Sequence, residues 1–152
     1  MASLTPPELD LVLPVEPVSV PVARRAVEGM AYAAGACPGT VEAMRLAVSE
    51  ACTNVVLHAY RETDPGRMHV RATTADNELR VVVADHGVGI RPRTDSPGLG
   101  LGLPLIGQLT EELSVECRNG TNRVTMCFRL DAPPAIFADV MDAGPRASAV
   151  AG

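Results

Sequence analysis

The sequence predicts an α+β fold: a two-layer α/β sandwich with a mixed, mostly antiparallel sheet and its helices on one face. Three observations predict it. Short alternating segments flank turn residues at Ala75-Asp76-Asn77-Glu78 and at Asn119-Gly120, which reads as two antiparallel hairpins. Two helix-favouring stretches stand together ahead of the first hairpin. A glycine-rich segment and a third short helix separate the hairpins, so helices and strands segregate and do not alternate as in a βαβ chain.

Taken in order, Glu8 to Leu13 forms a first strand that Pro14 closes, and Val15 to Pro21 is too rich in proline for a regular element. A helix follows from Val22 to about Ala36, ended by Gly35 and Pro38. Thr40 offers an N-cap for a second helix running to about Tyr60. Its apolar residues Val41, Met44, Val48, Ala51 and Val55 recur at steps of three and four, which gives one buried stripe. Met68 to Thr74 and Leu79 to Ala84 read as the first hairpin's strands. The glycine-rich region runs from Asp85 to Gly102, and a helix follows near Leu103 to Thr110. In the second hairpin Leu113, Val115 and Cys117 alternate with polar neighbours, as do Val124, Met126, Phe128 and Leu130. Residues 1–131 form a single domain. Residues 132–152 form an Ala/Pro-rich C-terminal tail, expected to be partly disordered, with one short helix near Ile136 to Met141.

Composition narrows the function. Of the 152 residues, 47% are hydrophobic and 20% charged, enough for a core in one domain. A net charge of -5 offers no broad attraction to nucleic acid or anionic lipid. No apolar run approaches a membrane span, and no basic start precedes an apolar stretch as in a signal peptide, so a cytoplasmic location is expected. Cys37, Cys52, Cys117 and Cys127 lack the spacing of a zinc site. Cys52, Cys117 and Cys127 read as buried small hydrophobes.

Three segments carry chemistry. Glu50 and Asn54 lie one turn apart on the second helix, on a face directed away from its apolar stripe. Such a pair can hold Mg2+ through the Asn oxygen and leave the carboxylate free to take a proton. By itself the spacing is common on solvated helix faces. Asp85-His86-Gly87-Val88-Gly89 follows a strand directly. A carboxylate there can accept from an exocyclic amine such as that of adenine, and the glycines admit a flat ligand; a plain strand-ending turn has the same composition. Gly98-Leu99-Gly100-Leu101-Gly102 runs into a helix, where free N–H groups and the helix N-terminus suit phosphates. It has no Gly-Lys-Ser/Thr of a Walker A loop and no βαβ context of a Rossmann fingerprint.

In this order the segments resemble the superfamily of gyrase, Hsp90, histidine-kinase and MutL ATPases. The N box is similar to Glu50 to Tyr60, the first glycine box to Asp85 to Gly89, and the second to Gly98 to Gly102. A Thr in a late strand is matched by Thr121, with Thr125 the second choice. Within the superfamily, Arg45 to Asn54 followed by His58-Ala59-Tyr60 resembles the bacterial anti-sigma-factor serine/threonine kinases of partner-switching type, as do Pro21 to Arg25 and Gly100 to Ile106. The eight residues Ile90 to Pro97 between the glycine boxes leave room only for a short ATP lid.

The resemblance implies a Bergerat-type ATP-binding fold, with ATP/ADP and Mg2+ as cofactors. It implies Glu50 as general base, Asn54 as Mg2+ ligand, Asp85 on the adenine amine, Gly87, Gly89, Gly98, Gly100 and Gly102 around the nucleotide, and Thr121 beside it. His58 is read as a packing residue. The implied function is a protein serine/threonine kinase that sequesters a sigma factor and phosphorylates an anti-sigma-factor antagonist, with no direct nucleic-acid or membrane contact and with a homodimer as a further implication. The alternative is a non-catalytic, nucleotide-dependent module that acts by partner sequestration alone. Retention of Glu50 favours the kinase, because a pure binder has no need of a base.

Overall fold

The computed structural model describes residues 7–58, 66–86 and 102–141. Its elements are β1 (Glu8–Pro14), α1 (Ser19–Ala33), α2 (Pro38–His58), β2 (Arg67–Ala75), β3 (Glu78–Asp85), α3 (Gly102–Leu109), β4 (Glu112–Arg118) and β5 (Thr121–Arg129), then a 3-10 helix, η1 (Ala135–Met141). The strands form one sheet in the order β1-β2-β3-β5-β4, and every pairing is antiparallel. The helices pack on one face, which makes the predicted α+β sandwich; the sheet, expected to be mixed, is wholly antiparallel among the described residues.

Both hairpins turn on two residues. Asp76 and Asn77 have φ of 51° and 62°, and Asn119 and Gly120 have φ of 52° and 76°. Positive φ at both central positions makes a turn whose twist matches that of the strands, which is why Asn, Asp and Gly stand there.

α1 begins at Ser19, three residues before the predicted start. Pro21 falls in its first turn, where an amide has no intrahelical partner, so the proline is tolerated. Ser19 Oγ donates to the Pro14 carbonyl at 2.6 Å, tying the helix to the end of β1. The helix ends in a Schellman motif: Ala36 N–H donates to the Ala31 carbonyl and Gly35 N–H to that of Tyr32, both at 3.0 Å. Gly35 takes the left-handed position with φ of 79°.

α2 starts at Pro38, so Thr40 lies inside its first turn and not at the N-cap. Its hydroxyl donates to the Arg129 carbonyl at 2.8 Å, while Cys37 N–H donates to the Leu130 carbonyl at 2.8 Å. The start of the central helix is thereby pinned to the end of β5. All five predicted stripe residues, Val41, Met44, Val48, Ala51 and Val55, are buried. They meet Met68, Val70, Val81, Val83, Val124, Met126 and Phe128 from the sheet in one core. The predicted helix end, Tyr60, lies outside the described residues; His58, expected to pack, is exposed.

Two cysteines meet the expectation and one does not. Burial pushes the Cys52 thiol up to about 12. Cys127 is raised to about 11, by burial first and then by its hydrogen bond to Glu78. Cys117 is exposed. β4 is one of the sheet's two edge strands, and helices cover only its beginning, where Leu113 is partly buried; Val115 remains 44% exposed. Alternation shows that two faces differ, and here no layer covers the apolar one.

Pro133 and Phe137 lie over the start of α2. A Cβ on Gly39 would stand 2.6 Å from Pro133 Cβ and 3.0 Å from the Phe137 carbonyl oxygen. Gly39→Ala is therefore expected to destabilise the fold. Overpacking costs about 1–3 kcal/mol, and the helix propensity of alanine offsets only about 1 kcal/mol. Urea denaturation checks this; a variant as stable as the parent would mean that the 133–137 segment does not hold its place.

Candidate nucleotide site

β3 ends at Asp85, and the sheet delivers this carboxylate to the interior. Along β3 the buried residues Leu79, Val81 and Val83 alternate with partly exposed ones, and the same period carries Asp85 onto the inner face at 5% exposure. Directly opposite in register on β5 stands Asn122, 3% exposed. Asn122 Nδ2 donates to Asp85 Oδ1 at 3.1 Å. A buried carboxylate needs such donors, because desolvation otherwise disfavours the charged form.

The same alternation sends Thr121 to the other face. Thr121 Oγ1 and His86 Nδ1 are 3.2 Å apart, and the His86 ring meets that of His69 edge-on at 6.1 Å between centroids. Thr125, four residues on, shares that outer face. Neither threonine stands beside Asp85. A polar neighbour on the inner face is Asn122, which the sequence reading overlooked. The signal was available: stepping back by two from Phe128, Met126 and Val124 arrives at Asn122.

The second focus joins α2 to α3. Gly102 opens α3, and a Cβ built on it would stand 2.9 Å from Asn54 Nδ2 and 3.3 Å from Asn54 Oδ1. The N box and the end of the second glycine box thus touch, and only a residue without a side chain allows this approach. Glu50, one turn earlier on α2, is half-buried. Gly87, Gly89, Gly98 and Gly100 lie outside the described residues.

The chemistry on offer follows from these groups. Asp85 is a buried hydrogen-bond acceptor, suited to an amine on a flat heterocycle. Asn54 Oδ1 is a hard oxygen donor, the kind Mg2+ prefers, and Asn54 sits against the N-terminus of α3, of the kind that favours phosphate; the Glu50 carboxylate, one helical turn earlier, is a proton acceptor. The residues present fit a magnesium nucleotide.

Gly102→Ala isolates the Asn54 contact. Alanine suits the helix, so thermal stability is expected to hold or rise slightly. The added methyl must turn the Asn54 carboxamide away, and Mg2+-dependent nucleotide affinity is expected to drop by roughly ten-fold, the worth of about one strong hydrogen bond. Titration calorimetry with and without Mg2+ reads both; unchanged affinity would leave Asn54 as an ordinary helix-surface residue.

No helix among the described residues is long and apolar enough to cross a membrane. The family profile of the histidine kinase-like ATPase domain matches residues 13–128. The chain is 33% identical over 127 residues to the serine-protein kinase RsbW of Bacillus velezensis, covering 74% of this chain and 79% of that protein. It is 32% identical over the same length to the serine-protein kinase RsbW of Bacillus subtilis, with the same coverage of both chains. In structure it resembles the crystal structure of the RsbU and RsbW domains of a Mycobacterium tuberculosis protein, with a TM-score of 0.68 and 24% identity. That match covers 84% of this chain and 34% of the longer one, and it bears on the fold alone. With the profile spanning β1 to β5 and the RsbW relatives matched over most of their length, the chain belongs to the histidine kinase-like ATPase family, on its anti-sigma-factor serine-protein kinase branch.

Proposed function

We propose that this chain binds ATP with Mg2+, holds a sigma factor, and phosphorylates a serine or threonine of the antagonist protein that competes for it, in the cytoplasm. The observation that carries the reading is the seating of Gly102 against Asn54, which joins two distant sequence motifs at one helix N-terminus. Asp85, buried at the end of β3, supplies the acceptor for the adenine amine.

Each residue then has one task. Asp85 accepts from the 6-amino group, and the N-terminus of α3 faces the phosphates. Asn54 offers its Oδ1 to Mg2+, which when bound neutralises phosphate charge. Glu50 accepts the proton of the attacking hydroxyl. As that proton leaves, the hydroxyl oxygen bonds to the γ-phosphorus, the bond to the bridging oxygen breaks, and ADP departs. Phosphoryl transfer relies mainly on positioning and charge stabilisation, which suits a site built from one base, one amide and glycine backbone.

The test is incubation with ATP, Mg2+ and candidate antagonist proteins, followed by mass spectrometry for phosphoserine and phosphothreonine. A phosphorylated antagonist supports the kinase. A chain that binds ATP and its partners yet gives no phosphopartner acts by sequestration, and one that binds no nucleotide ends the whole reading.

A further inference from the structure

We infer that Asn122 is a positioning residue for base recognition: it fixes the Asp85 carboxylate so that the site reads the 6-amino group of a purine. This rests on the nucleotide-site reading above. Asn122 and Asp85 are register partners on adjacent central strands, both on the sheet face that meets the helices, and both almost fully buried. The amide donates to one carboxylate oxygen, Oδ1, at 3.1 Å.

A carboxylate on a strand end can turn about its last torsion, which is broad and shallow for aspartate. A donor on one oxygen removes that freedom and fixes where the second oxygen faces. The amide donor also holds the group as an acceptor, which is what separates adenine from a 6-oxo purine. A 6-amine donates to a carboxylate, whereas a 6-carbonyl sets two acceptors against each other. Discrimination at that position thus depends on Asn122 although Asp85 makes the contact. Thr121 cannot take this role, because strand alternation places its hydroxyl on the outer face with His86.

The experiment compares ATP with inosine triphosphate on the parent chain, Asn122→Ala and Asn122→Asp. The parent is expected to favour ATP by ten-fold or more, about the worth of one charged hydrogen bond. In Asn122→Ala that ratio is expected to fall towards one. In Asn122→Asp a second carboxylate stands against the first, and such a pair retains a shared proton well above the usual carboxylate range. At low pH the protonated acid donates as the amide did and ATP binding is retained; as pH rises and the proton leaves, affinity falls relative to the parent measured at the same pH. If Asn122→Ala gives no cooperative melt, the near-isosteric Asn122→Asp carries the test by its pH profile alone. An unchanged ATP-to-inosine ratio in Asn122→Ala, or a profile in Asn122→Asp that follows the parent's, overturns the inference. A parent chain that binds neither nucleotide instead removes the nucleotide-site reading beneath it.

Discussion

Replacing Glu50 by alanine is expected to leave ATP affinity near the parent value and to cut phosphorylation of the antagonist by about 10²–10⁴-fold, the usual contribution of a positioned general base. The separation follows from where the residue sits. Glu50 lies one turn before Asn54 on α2, on the same face but a full turn away from the Gly102 contact. Its proposed task is to accept a proton from the attacking hydroxyl, not to hold the nucleotide, so the ground-state complex should barely notice its loss. Asn54→Ala is the contrasting variant. In the proposed mechanism Mg2+ serves binding and catalysis together, so affinity and rate should decline in parallel. Calorimetry for ATP and a phosphopeptide time course separate the two patterns. If Glu50→Ala phosphorylates the antagonist at the parent rate, Glu50 is not the base. If the parent itself makes no phosphopartner while binding ATP tightly, the function moves to sequestration.

The elements that were legible in the sequence are those whose local signal is also their tertiary reason. The α2 stripe is one: Val41, Met44, Val48, Ala51 and Val55 recur at the helical period because that face meets the sheet, and all are buried. The hairpin turns are another, since Asp76, Asn77, Asn119 and Gly120 occupy positive φ, which few other residues accept. Misreadings arose where a residue's effect depends on position within an element. Pro21 looked like a helix breaker but lies in the first turn of α1, where its missing N–H has no consequence. Thr40 resembled a cap, yet its hydroxyl reaches β5, a contact 89 residues away in the chain. Cys117 sits in an alternating pattern, but exposure there depends on how far α3 reaches across the edge strand, which no local pattern records.

The proposed site divides along the same line. Glu50, Asn54 and Asp85 stand out as candidates by residue type and spacing. Which side chain stands next to Asp85 does not, because it depends on pairing between strands that are 37 residues apart at that point. A shift of one residue exchanges the two faces of a strand, and that single step separates Thr121 from Asn122.

Asp85→Asn tests that geometry from the carboxylate's side. The substitution keeps the volume of a residue that is 5% exposed, so the fold is expected to survive with a small change in stability. Asn122 Nδ2 still needs an acceptor, and the new amide oxygen can provide it in place of Oδ1. That choice directs the new amide's NH2 group towards the position proposed for the adenine amine, where a donor meets a donor. The opposite orientation frees the oxygen for adenine but sets the new NH2 against that of Asn122. Either way one hydrogen bond is lost, and the contact that remains lacks the carboxylate's charge. The expected loss is about 1.5–3 kcal/mol, or roughly ten- to a hundred-fold in ATP affinity. Asp85→Asn combined with Asn122→Asp exchanges donor and acceptor across the strand pair, and it restores a carboxylate to the site at the opposing register position. Because the carboxylate then projects from β5 and not from β3, ATP affinity should stay low although the pair is again satisfied. Recovery of full affinity in the double variant would mean that the site needs only a buried negative charge. Persistent loss, with a melting temperature close to the parent's, places the requirement on the position of the Asp85 oxygen itself.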